Sequence, residues 1–127
     1  MKAFKNEKGQ GLVEFALIVP ILILILMAII EFGFMFNTFL SLSNGVREGG
    51  RLAALGGNDA AIEMKIITSG GLLEAGNIQV SINPSTRHRG DEIKIAATYR
   101  YYFITPILGG ILSSGVELSS ELSVRME

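Results

Sequence analysis

Gly9, Gln10, Glu14 and Phe15 are the residues of this chain whose types and spacing suit a chemical step, the cutting of one peptide bond. Gly9 puts no side chain in the way of a protease and leaves its backbone free to adapt. Lys2, Lys5 and Lys8 precede it, and an apolar run without a single charge follows from Phe15 to Ile30. Cleavage after Gly9 makes Gln10 the new amino terminus and Glu14 the fifth residue from it. A carboxylate at the mouth of a membrane helix is costly, and such charges tend to have a function. Pairing Glu14 with the terminal ammonium of a neighbouring copy replaces a lone charge by an ion pair.

Elsewhere the residues offer little chemistry. His88, the only histidine, lies between Arg87 and Arg89 in the turn Pro84 to Gly90, and no carboxylate is placed by the sequence to orient it. It reads as a solvated loop residue. Asp91 and Glu92 read as ordinary solvated acids beside a turn. The Arg87-His88-Arg89 cluster is a weak anion-binding signal without an interleaved aromatic platform. Tyr99, Tyr101 and Tyr102 fit cross-strand packing better than a binding box. The chain has no cysteine, which excludes a disulfide scaffold, a thiolate metal site and a cysteine nucleophile. With no phosphate loop, metal-ligand spacing or nucleophile elbow, no enzyme, cofactor or metal is expected.

The element that must position Gly9 and Glu14 is a membrane helix. As a helix the run Phe15 to Ile30 rises about 24 Å against a hydrocarbon core of about 30 Å. Leu12, Val13 and the segment Phe32 to Phe36 extend it enough to span. Pro20 removes one backbone donor, a defect that membrane helices tolerate. Lysines before the helix, and no basic residue after it until Arg47, orient the amino terminus inward and the carboxyl terminus outward. The net charge is −1, and removal of three lysines and Glu7 with a leader ending at Gly9 leaves about −3, so no nucleic acid is expected as a partner. Glu31 falls near the outer interface and reads first as a carboxylate reaching headgroup water, second as a filament-internal contact. Phe32, Phe36 and Phe39 follow at helical spacing as packing or interface anchors.

Beyond the apolar run, small residues recur every fourth position at Ser41, Gly45, Gly49, Ala53 and Gly57. Such a stripe permits close backbone approach, and the expectation is a continued helix whose glycine face, with Leu40, Leu52 and Leu55, packs on the domain's own sheet. Arg47, Glu48 and Arg51 on this stretch are either a solvated face or a subunit-recognition surface. Gly56-Gly57-Asn58-Asp59 reads as a helix stop and a new N-cap. Ile62, Ile66 and Ile67 mark a short helix ended by Gly70-Gly71. The period then changes to two: Ile78, Val80 and Ile82 in a first strand; Glu92 to Ile104 in a second, with Ile93, Ile95, Ala97, Tyr99, Tyr101 and Phe103 on one face; and Val116 to Met126 in a third. Pro106 and a glycine-rich connection separate the last two. The expected class is α+β, a long amino-terminal transmembrane helix, a short helix and a roughly three-stranded antiparallel sheet covered by the helix's second half.

A secretory signal peptide fits poorly, because its cleavage site needs small residues just past the apolar region and Ala28-Ile29-Ile30-Glu31-Phe32 stands there. The start instead resembles a type IV prepilin signal. The segment KGQGLVEFALIVPILILILMAIIEFGFMF, with VREGGRLAAL and the strands around Pro106, is similar to the TadE-like family of minor pilins or pseudopilins. That resemblance implies residues 1–9 as a cytoplasmic leader, 10–40 as a transmembrane and filament-core helix, and 41–127 as an extracytoplasmic pilin-like domain. It implies a minor pilin of a tight-adherence (Flp) type IV pilus, single-pass in the inner membrane, acting in pilus biogenesis, adhesion and biofilm formation. The implied partners are a prepilin peptidase, the major Flp pilin, a second pseudopilin and the inner-membrane assembly platform. Assembly contacts would then be sought at Glu14, Glu31, Gly45, Arg47, Glu48, Gly49 and Arg51. The chain is longer than a major Flp pilin and lacks the extra domain of TadG-like relatives. The alternative is an uncleaved single-pass anchor whose outer domain is a binding module.

Overall fold

The computed structural model describes residues 7–127. Lys2 and Lys5 of the expected leader lie outside the described residues. One helix, α1 (Glu7–Ala54), accounts for 48 residues and contains Pro20. No described residue before Glu31 is buried. From Glu31 onward Thr38, Leu42, Gly45, Val46, Gly49, Gly50 and Ala53 are buried, at the three-and-four spacing of one helix face. The same helix is therefore a bare apolar rod in its first half and part of a folded domain in its second.

α1 stops where the sequence runs into paired glycines. Gly56 takes a positive φ of 89°, and its N–H donates to the Ala53 carbonyl while that of Gly57 donates to Leu52. These two bonds satisfy carbonyls left over at a helix end and require a residue that tolerates the left-handed conformation. Asn58 then caps α2 (Asp59–Gly70), its side chain accepting from the Ala61 N–H at 2.8 Å. α2 turns back along α1 and buries Ile62 and Ile66 against it.

A Cβ at Gly45 would fall on the Ile66 carbonyl oxygen, and one at Gly49 would stand 2.5 Å from Ile66 Cγ1. The glycine stripe thus meets α2, not the sheet as expected. Gly50, one position off the stripe, is the glycine that meets the sheet, at Leu122 and Val124. Leu40 and Leu55 are exposed, while Leu52 is partly buried against the core, whose apolar mass here comes from Leu42, Val46 and Ala53. Gly57 lies beyond α1.

The sheet has the order β1-β2-β3, with β1 (Ile78–Asn83), β2 (Glu92–Tyr101) and β3 (Val116–Arg125) antiparallel to their neighbours. In β2, Ile93, Ile95, Ala97, Tyr99 and Tyr101 are buried in alternation, the period-two signature of a sheet with one wet face. α1 covers the dry face and contacts both β2 and β3. β2 ends at Tyr101, three residues short of the expected Ile104: its last partner is Val116, and the Ile104 N–H is bonded outside the sheet. The connection that followed Pro106 contains a short helix, α3 (Pro106–Ile111), with Pro106 in its first turn, where a missing N–H costs nothing. Gly115, with φ 73°, brings the chain into β3 so closely that a Cβ would stand 2.5 Å from the Tyr101 carbonyl oxygen.

Candidate functional site

The Gly9–Gln10 bond lies near the start of the described part of α1. Gly9 lowers the helix's resistance to local opening there, as cutting of that bond would require. Glu14 lies one turn beyond Gln10 and is exposed. Its carboxylate accepts one long bond from the Gln10 side chain at 3.3 Å. Among the described residues no cation pairs with it. Phe15 beside it is 62% exposed. The four residues of the candidate site therefore share the end of a helix whose first half offers nothing to its own domain.

Glu31 behaves in the opposite way. It is only 2% exposed, and so is not the headgroup-facing carboxylate that its position in the sequence suggested. Its Oε1 accepts from Tyr101 Oη at 2.7 Å and from the Ile104 N–H at 2.9 Å; its Oε2 accepts from the Thr105 N–H at 2.9 Å. Three donors on a carboxylate make strong, charge-assisted bonds. They tie the middle of α1 to the segment just past β2. Burial first, and the Glu31 carboxylate second, push the Tyr101 phenol well above its ordinary range, so it stays a donor. The sequence carried one usable signal for this link, an inward-facing tyrosine at the end of a strand.

The other candidates separate. Gly45 and Gly49 are filled by α2 and present no free surface. Arg47 and Arg51 are exposed, and Arg51 makes a loose 3.6 Å contact with Glu48. A pair so hydrated contributes about 0.3–0.5 kcal/mol at most. The basic turn also divides. Arg87 has a side chain only 8% exposed, paired with Asp59 and donating to the Gly57 carbonyl at 3.0 Å, so it locks the turn to the start of α2. His88 is 80% exposed. Contrary to expectation a carboxylate does stand beside it: Asp91 accepts from the His88 N–H at 2.8 Å and lies 3.6 Å from its Nδ1. This closes the turn.

Residues 9–51 match the family model described as TadE-like protein. Neither the curated proteins nor the solved structures contain a match to the chain.

Proposed function

We propose that this chain, whose residues 9–51 match the TadE-like family model, is a minor pilin of a tight-adherence pilus, cut after Gly9 by a prepilin peptidase. In this reading α1 crosses the inner membrane with its amino terminus in the cytoplasm, and the α+β domain stands outside. The new terminal ammonium of Gln10 and the carboxylate of Glu14 on a neighbouring subunit neutralise each other when helices leave lipid for a filament. The major Flp pilin, a second pseudopilin and the assembly platform are the partners, and surface adhesion and biofilm growth are the outcome. The role is structural and not catalytic.

The observation that carries this reading is Glu14 itself: an exposed carboxylate on a helix with no buried residue before Glu31. Intact mass and amino-terminal sequencing of the protein from membranes of its own cells, beside a Gly9→Leu variant, test it. A mature chain starting at Gln10 that disappears in the variant is expected. A chain starting at Met1 in both would overturn processing and leave an uncleaved anchor.

A further inference from the structure

No charged residue stands between Arg100 and Glu117, although this connection lies at the edge of the domain. Its apolar side chains are not tucked away. Ile104 is 63% exposed, Ile107 45%, Ile111 73% and Leu112 44%. A solvent-facing loop of this make-up is a poor design for water, since contiguous exposed apolar surface marks a membrane or partner contact.

The hydrogen bonds at Glu31 fix the height of this loop relative to α1. Counted from Phe15, the first residue past Glu14, a helix crosses a hydrocarbon core of about 30 Å in about 20 residues. That places the outer edge of the core near Phe34 and Glu31 slightly inside it. Ile104 and Thr105 donate their N–H groups to Glu31, so the start of α3 is held at that same depth. We infer that the β2–β3 connection dips into the outer leaflet of the membrane that α1 crosses, with α3 lying at the boundary between headgroups and acyl chains.

Two further features fit a lipid occupant. Phe32 and Phe34 on α1 and Tyr102 beside the loop are all about half exposed or more, which places aromatic rings at the level where membrane proteins concentrate them. A protein partner would need polar groups around the patch to set its orientation, and the stretch Ile104 to Leu112 holds a single polar side chain, Thr105. The placement also gives Glu31 a second role. A carboxylate at this depth must be shielded from lipid, and the loop that enters the leaflet brings the donors that shield it.

This inference rests on α1 spanning a membrane, so the test must separate the two. The natural chain has no cysteine, and single nitroxide labels on Ile23→Cys, Ile111→Cys and Ser85→Cys can be placed on the full chain in phosphatidylethanolamine–phosphatidylglycerol vesicles. Ser85 is an exposed residue of the β1–β2 turn, at the opposite end of the sheet. The ratio of accessibility to oxygen over a water-soluble nickel chelate at Ile111 should exceed that at Ser85 by about threefold or more, toward the value at Ile23, as burial near the acyl boundary requires. An Ile111 ratio equal to that at Ser85, with Ile23 high, would overturn the inference and leave the span intact. An Ile111 label shielded from both reagents would overturn it in favour of a protein cover, such as a second copy. An Ile23 label as open to nickel as Ser85 would remove the span, and the inference with it.

Discussion

Glu14 and Glu31 are the two carboxylates that interrupt or border the apolar half of α1, and the structure treats them in opposite ways. Glu31 is enclosed by three donors from the end of β2 and the approach to α3. Glu14 has a single 3.3 Å contact with Gln10 and stands in the open. A charge in an apolar setting is tolerated when it is paired or hydrogen-bonded. Glu31 meets that condition within its own chain. Glu14 does not, and in the proposed pilin its condition is met only by another subunit. The difference separates a residue that holds the domain on its stalk from one that, in the proposed pilin, is left for assembly.

The harshest way to break the comparison is Glu31→Ala. It strands the Tyr101 hydroxyl and two backbone N–H groups, and at about 1–3 kcal/mol for each unpaired group the domain should lose several kcal/mol of stability, read as a lowered denaturation midpoint of the detergent-solubilised chain. Next, Gly49→Val drives a side chain into Ile66, and overpacking of that kind costs about 1–3 kcal/mol; limited proteolysis should show α2 released from α1. Tyr101→Phe removes one donor from Glu31 while keeping the ring, a loss of about 1.5–3 kcal/mol for a bond to a charged group.

Tyr101→Phe also carries a pH signature. The Tyr101 phenol is raised above its ordinary 10.0 when folded, so the folded state holds a proton that the unfolded chain releases. Its contribution is fully present below about pH 10 and declines as pH rises from there. The stability difference between Tyr101→Phe and the natural chain should therefore shrink in alkaline titration; a constant difference would remove the Tyr101–Glu31 bond from the explanation. The smallest effect belongs to Arg51→Ala, which should change stability by no more than about 0.5 kcal/mol, less at high salt.

Much of this fold was legible because its patterns are local. Ile93, Ile95 and Ala97 alternate as a strand must, and Gly56 to Asp59 spell a stop and a cap. What was not legible depended on which face met which neighbour. The stripe of Gly45 and Gly49 announced close packing but could not say that α2, not the sheet, would fill it. The connection after Pro106 read as an irregular link because Gly109 and Gly110 argue against a helix, while the bonds from Ile104 and Thr105 to Glu31 fix the chain just before it. Glu31 read first as a carboxylate reaching headgroup water because it borders the apolar run. Only its long-range partners, Tyr101 and the Ile104 and Thr105 N–H groups, show that it is enclosed by the domain. For the candidate processing site the structure adds little to the sequence, since Gly9 and Glu14 sit on a part of α1 with no buried residue.

The division between the two carboxylates is tested most directly by thermal unfolding of the full chain in detergent with Glu14→Gln beside Glu31→Gln. The amide at position 31 keeps the shape but sets an NH2 group among donors, and a loss of about 2 kcal/mol corresponds to a fall in Tm of about 10 °C for a domain of this size. Glu14→Gln should leave Tm unchanged within about 2 °C. Equal shifts in the two variants, or a larger one at Glu14, would contradict the assignment of Glu31 to the domain and Glu14 to assembly.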